Sequence, residues 1–535
     1  MSSVSNLEHA AIISEAALSE RYDVIVVGAG HNGLIAALRA ARAGLRVLVV
    51  ERAPVIGGAT RTEYPFARAP QLPHSTGAYL LGLMPPELLC ELELEIPVLR
   101  RDPHYFLPTE GAGYLLFGSD RAELERQFVT FFSRADFEAH LRLQAELGAL
   151  RDDLAPSWMA QPFSIEETVQ RYVRPELRDA CVRLCRGSIG EYLDRFGFQS
   201  DLVKAMYAVT DGFSGLYGGY DTPGTGMNFL IHNMCRLPGS DGTWMVVAGG
   251  MGTVSRVLAD AFARHGGNII VGAPVTSILL EAGAASGVVL ESGREIRARA
   301  VLVNADPFAM QRLIGAANLP ATYNDRLAVL KRPGSTFKLN LALNKAPSFP
   351  CLPHRGSAFG PTIHLLPQGV DVLAELERGW HAVQRGQLPE FPSIEWYMHS
   401  TVDRSLSDAQ GRISSAFFVQ WVPYELEGAS WEQQAEPYAR HLLEIADRFA
   451  PGTSALVDDW QIMHPKKIEQ HFGISYGHIH HIDNSFGFAD RLPHRTPVPG
   501  LYSASAGTHP AGSVIGCAGY LAAAECLRDL GVAEA

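Results

Sequence analysis

No run of lysine and arginine occurs anywhere in this chain, and 57 acidic residues outnumber 45 basic ones, a net charge of −12. Nucleic acid is therefore not an expected partner, because phosphate binding depends on a concentrated basic surface. Cysteine is scarce. The seven cysteines, Cys90, Cys181, Cys185, Cys235, Cys351, Cys517 and Cys526, form no C-x-x-C pair, and their odd number rules out a complete disulfide framework. A reducing, cytoplasmic setting is expected. No apolar run approaches the roughly 20 residues that a membrane-spanning helix needs. No lysine or arginine precedes Arg21, and Glu8, Glu15 and Glu20 interrupt the opening stretch, so a secretory signal is not expected either. A peripheral contact with the cytoplasmic face of a membrane stays allowed, resting on apolar surface more than on charge. Internal repeats and low-complexity segments are also missing.

What is present is the composition of a packed enzyme, 47% hydrophobic and 19% charged. A chain of 535 residues exceeds one small core, and two domains are expected. Residues 1–20 read as a tail. Asp23-Val24-Ile25-Val26-Val27 reads as a buried parallel strand, a helix follows from Asn32 to about Ala43, and Arg46 to Val50 is a second buried strand. Gly44 ends the helix between them. A second α/β stretch starts near Trp244, with Gly249-Gly250-Met251-Gly252 opening a helix and strands at 268–271, 275–280, 287–290 and 300–304. One more strand, Leu501 to Ala504, precedes a helix from about Gly516 to Leu530. The nucleotide-binding domain is thus discontinuous, comprising 21–99, 241–310 and 495–535. Residues 100–240 and 311–494, with alternating strands such as Thr336 to Leu341, are expected to build a substrate domain.

Gly28-Ala29-Gly30-His31-Asn32-Gly33 follows the first strand and opens the first helix. Gly28 permits the tight turn, Gly30 lets backbone approach a pyrophosphate, and Gly33 lets helix and strand pack closely. Glu51 ends the second strand, where a carboxylate can accept hydrogen bonds from ribose hydroxyls. That unit alone does not separate NAD from FAD. Gly57-Gly58, with Ala59 and Thr60 just after Glu51-Arg52, resembles the paired-glycine motif that continues the FAD site in the amine oxidase and phytoene desaturase superfamily.

From 22 to 530 the chain resembles the phytoene desaturase-related flavoproteins, a group that includes carotenoid desaturases, carotenoid ketolases, carotenoid isomerase and retinol saturase. The resemblance implies an α/β, Rossmann-type, amine-oxidase-like FAD-binding domain with an interleaved α+β substrate domain. It implies FAD as cofactor, held by Gly28, Gly30, Gly33, Glu51, Arg52, Gly57, Gly58, Ala59 and Thr60. Val275 matches the family's adenine-contacting Val, and the stretch from Leu501 to Gly516 matches its C-terminal flavin motif, adding Ala506, Gly507, Gly512, Ser513 and Val514. Ala59 stands where many desaturases have Arg, and Ala511 and Ser513 replace common glycines, which leaves the substrate subgroup open. No second dinucleotide fingerprint supports a bound NAD(P)H.

Five of the 19 histidines fall between His464 and His481. His478 and His480 are expected on one face of a strand, with no third metal ligand in view. His481 matches a family histidine, and His481 and Asp483 are the candidates for a catalytic base. Aromatic clusters near Tyr79, Phe213 to Tyr220 and Phe417 to Trp421 offer tunnel walls or ordinary core. The expected activity is dehydrogenation of a lipophilic, unsaturated or isoprenoid-like substrate. Hydride would pass to flavin N5, a proton would leave the neighbouring carbon, and oxygen or a quinone would reoxidise the cofactor. A double-bond isomerase or hydratase without net redox, and a non-catalytic FAD-retaining scaffold, are the alternatives. The oligomeric state is left open.

Overall fold

A computed structural model describes residues 12–354, 358–369 and 371–533. Its first sheet runs, from edge to edge, Val275–Glu281, Ala284–Leu290, Glu295–Val303, Arg21–Val27, Val47–Val50, Asn268–Ile270. The last four are parallel. Strand Glu295–Val303 is long enough to serve two neighbours on one side: its first half pairs with Ala284–Leu290 and its end pairs in parallel with Leu501–Ser503. Both faces are covered, as the unbroken runs of Val, Ile and Leu require. Val24, Val26, Val47 and Val49 pack with Leu34 and Ile35 of the first helix, His31–Arg42. Ile25, Val27, Leu48 and Val50 pack on the opposite side with Phe308 and Leu327. Gly44 at φ +81° ends that helix by turning the chain into the second strand.

The second sheet has the order Val457–Met463, Thr336–Leu343, Ile413–Gln420, Ser393–Met398, Thr362–Leu365, Tyr105–Pro108, Tyr114–Phe117. All its pairs are antiparallel except that of Thr362–Leu365 with Tyr105–Pro108. Phe337, Leu339, Leu341, Trp396, Phe417 and Val419 form one face, packed on the Trp431–Phe449 helix. By the two-residue period of a strand, Lys338, Asn340, Glu395, Tyr397, Ala416 and Phe418 occupy the other face. That face is buried too, apart from the half-buried Tyr397. Helices between Arg121 and His232 fill the region beside it.

The discontinuous Rossmann-type reading is the observed architecture. One expectation fails: the segment from Ile12 to Glu20 is not a loose tail. Ile12 bridges Ile269, Ile13 N–H donates to the Ile269 carbonyl at 2.9 Å, and Arg294 donates to the carbonyls of Glu15 and Leu18. It covers the far edge of the first sheet, with Leu18 buried. Residues 1–11 of the expected tail, and 534–535 of the last segment, lie outside the described residues.

Candidate functional site

The first parallel strands end at a cavity of about 450 Å³. Its nucleotide end is made by backbone. Gly28, at φ +100°, donates its N–H to the Val50 carbonyl at 2.8 Å and so turns the chain into the first helix. A Cβ on Gly33 would lie 2.1 Å from the Gly28 carbonyl oxygen, so helix and loop pack only because that residue has no side chain. The helix has no side-chain N-cap. The N–H groups of its first turn and their positive dipole end thus suit an anion such as pyrophosphate. Glu51 is buried, and its two oxygens accept from Ala29 N–H at 2.7 Å and Ala53 N–H at 2.8 Å. Each oxygen keeps a lone pair for a ribose hydroxyl.

The paired glycines lie against this loop. Gly57 N–H donates to the Ala29 carbonyl at 2.8 Å, and Gly30 and Gly57 form a parallel bridge. Gly28, Gly30, Glu51, Arg52, Gly58 and Ala59 line the cavity, as does Val275. Gly33, Gly57 and Thr60 do not. Thr60 is fully buried and bonds the Gly57 carbonyl at 2.7 Å and the Ser255 hydroxyl at 2.6 Å, which fixes the turn from behind. At the other end of the motif set, Ala506, Ser513 and Val514 line the cavity, whereas Gly507 and Gly512 shape it from outside. A Cβ on Gly512 would lie 2.4 Å from the His480 carbonyl oxygen. The C-terminal helix begins at Cys517, one residue beyond the expected start.

The histidine stretch is not a strand. Ser475–Gly477 is a 3₁₀ turn, and Tyr476, Gly477 and His481 have positive φ, which breaks any extended run. His478 and His480 therefore share no strand face. His478 Nε2 lies 3.0 Å from Asp483 Oδ2, while His480 Nε2 lies 2.9 Å from the Ser214 carbonyl. Asp483 does not line the cavity, and its candidacy as a base falls. Burial alone would raise its carboxyl, but the His478 hydrogen bond and charge, with Ser485 and Tyr217 N–H, hold it well below the usual carboxylate range. It is an organiser of its loop. His481 does line the cavity, with Nδ1 2.8 Å from the Ser505 hydroxyl, and burial lowers it to about 4. Among the described residues, no three His, Cys, Asp or Glu side chains gather as metal ligands.

Several lining residues were not assigned to the site from the sequence. Phe472, Gly473 and Ile474 close over the nucleotide end, where a Cβ on Gly473 would strike the Arg52 guanidinium. Asn304 lines the same end, its Nδ2 3.3 Å from the Gly28 carbonyl. The inner wall is the polar face of the second sheet. Lys338, Phe418, Glu395 and His364 face one another across four adjacent strands, and Asn340, Ala416, Tyr397 and Thr362 form the next row. Lys338 Nζ donates to the Gly77 carbonyl and sits 4.0 Å over the Tyr79 ring. Burial lowers it to about 7. Burial likewise raises Glu395 to about 8. Two strand spacings, about 10 Å, separate the pair. Of the expected aromatic clusters, Tyr79, Leu80 and Phe418 line the cavity, while Phe213, Phe417 and Trp421 are core.

This architecture, two glycine loops packed together at the start of an uncapped helix, beside a second sheet that walls a cavity, is that of the flavin-dependent amine oxidases. The pattern defining the flavin containing amine oxidoreductases matches residues 33–347, and the chain belongs to that family. Its cofactor is FAD, and the bare glycine cradle, Glu51 and the uncapped helix start fit that group. The chain is 32% identical to the rat pyridine nucleotide-disulfide oxidoreductase domain-containing protein 2, over 96% of this chain and 94% of that one. The resemblance to phytoene desaturases holds at 26% identity with the zeta-carotene-forming phytoene desaturase of Myxococcus xanthus, over 82% of this chain and 81% of that one. Among solved structures, putrescine oxidase bound to putrescine shares the fold, with a TM-score of 0.59 at 17% identity, covering 96% of this chain and 99% of that one. No cysteine lines the cavity, so nothing in it supports disulfide exchange. No helix among the described residues is long and apolar enough to cross a membrane.

Proposed function

We propose that this FAD-dependent oxidoreductase dehydrogenates a lipophilic, unsaturated or isoprenoid-like molecule. The observation that carries the reading is a single cavity lined both by the FAD loops and by Tyr79, Leu80, Tyr105, Tyr397 and Phe418. Bound FAD supplies a hydride acceptor, with oxygen or a quinone as the final oxidant. The chain's own part is to exclude water, hold the substrate against the aromatic wall, and take the proton that leaves the carbon next to the one losing hydride. His481 and Lys338 are the candidates to take it. Both line the cavity, and burial keeps the imidazole neutral and brings the amine near neutrality. The kinship with a phytoene desaturase supports an extended unsaturated substrate. Delivery of so apolar a substrate fits a peripheral membrane contact in the cytoplasm.

Anaerobic mixing of the FAD-loaded protein with fractionated lipid extract tests the reading. Bleaching of the flavin, with a product lighter by two hydrogens, is expected. A product of unchanged mass formed without any electron acceptor replaces dehydrogenation with isomerisation. Flavin that no fraction bleaches returns the scaffold reading.

A further inference from the structure

The inner wall holds a buried polar atom with no hydrogen-bond partner among the described residues. Glu395 is 3% exposed and lines the cavity. Its Oε2 accepts from the Tyr397 hydroxyl at 2.6 Å, while its Oε1 has no hydrogen-bond partner. The strand register fixes this carboxyl firmly. Glu395 lies between Phe418 and His364 in the row across the sheet, and Tyr397, two residues on, points to the same side. Thr210, Tyr105 and His232 line the cavity as well, so this end is polar although its aromatic rings make it look apolar in sequence.

Resting on the reading that this cavity takes the substrate, we infer that Glu395 Oε1 is the recognition point for a carbonyl or hydroxyl oxygen on that substrate. The ligand class is then an oxygenated lipophile rather than a plain hydrocarbon or an ammonium. Burial keeps Glu395 protonated at neutral pH, and the Tyr397 hydroxyl donates to Oε2, so the acid proton resides on Oε1. Oε1–H is a donor in need of an acceptor. An ammonium has no lone pair to offer and would enter a wall that already holds Lys338. A hydrocarbon would leave the donor unpaired, which a built polar site penalises more than a missing contact. The alcohol or ketone oxygen supplies what the wall lacks, while the rest of the molecule lies on Tyr79, Tyr397 and Phe418.

Four probes of one carbon skeleton separate these cases: limonene, perillyl alcohol, perillyl aldehyde and perillylamine. Equilibrium binding to the full-length, FAD-loaded protein is read at pH 7 by titration calorimetry without turnover. The alcohol and aldehyde are expected to bind about 10-fold tighter than limonene, and the amine no tighter than limonene. Glu395→Gln, which keeps a donor at that place, retains the preference, and Glu395→Leu removes it with flavin content unchanged. Limonene binding as tightly as the oxygenated pair, absent binding of that pair, or tightest binding by the amine overturns the assignment. Should Glu395→Leu lose its flavin, the ranking in the wild type and Glu395→Gln still decides. Selective binding without flavin bleaching upholds this site and overturns the dehydrogenation reading. Bleaching by limonene and alcohol alike, with equal binding, does the reverse.

Discussion

The two ends of the cavity are built in opposite ways. At the nucleotide end the functional atoms are backbone groups of neighbouring residues, Gly28 to Gly33 and Gly57 to Ala59, fixed by one carboxylate. At the inner end they are side chains from separate strands, Lys338, Glu395 and Phe418, aligned only by sheet register. The first end tolerates almost no added atom, and the second tolerates shape change but depends on where protons sit. Steric substitutions should therefore act on cofactor retention, and isosteric changes of charge should act on turnover and pH dependence.

The largest effect expected is from Gly30→Val. A Cβ there would lie 2.8 Å from Asn304 Nδ2 at the cavity surface, where pyrophosphate must approach. The purified variant should carry no flavin, whereas Glu395→Leu should release the wild-type amount on denaturation. Equal flavin in both variants would erase the contrast between the two ends. Lys338→Met comes next. It should keep its FAD and lose about 100- to 10,000-fold in turnover of a confirmed substrate, the range for removing a general base. In the wild type the rate should fall as pH drops below about 7, because a protonated amine accepts nothing. If that acid limb persists in the variant, the base is elsewhere, and His481→Ala is the next comparison.

Glu395→Gln sharpens the comparison through stability. Burial raises the folded carboxyl from 4.5 to about 8, so between those values the folded chain holds a proton that the unfolded chain releases. Wild-type stability should therefore decline as pH rises from 4.5 to 8, and the amide variant should lack this decline. The variant's stability relative to wild type should grow by roughly 2–4 kcal/mol between pH 5 and pH 8.5 in denaturant titrations. A constant difference would place an ionised Glu395 in the folded protein. The smallest effect is expected of Glu51→Gln. Both carboxylate oxygens now accept from backbone N–H groups, and the amide retains only one acceptor. FAD affinity of the apoprotein should weaken by about 1–2 kcal/mol.

The same contrast explains what sequence could disclose. Strand, glycine loop, helix and acid follow one another within residues 21–51, so local chemistry specifies them and their places match expectation. Of the strand Glu295–Val303 only the end was legible, as a strand at 300–304, because its first half lacks an unbroken apolar run. The inner wall was not. Thr336-Phe337-Lys338-Leu339-Asn340-Leu341 alternates as a half-exposed strand does, and Lys338 and Asn340 sit where solvent-facing residues normally fall. Only the full sheet shows that this polar face lines a cavity. In the histidine stretch, the match to a family histidine drew attention to His481, which lines the cavity, but the positive φ at Tyr476 and His481 cannot be read from residue types that rarely adopt it. Asp483 was misplaced because two residues along a broken turn, unlike a strand, need not point the same way.

The pairing of Glu295–Val303 with both Arg21–Val27 and Leu501–Ser503 also sets what the cofactor cradle depends on. The Gly28 loop, the strand beside it, and Ser513 and Val514, which line the same cavity, come from three stretches far apart in the sequence. A cofactor bound there would touch the first and last of them at once, and would favour the assembled fold over any state in which one stretch is undocked.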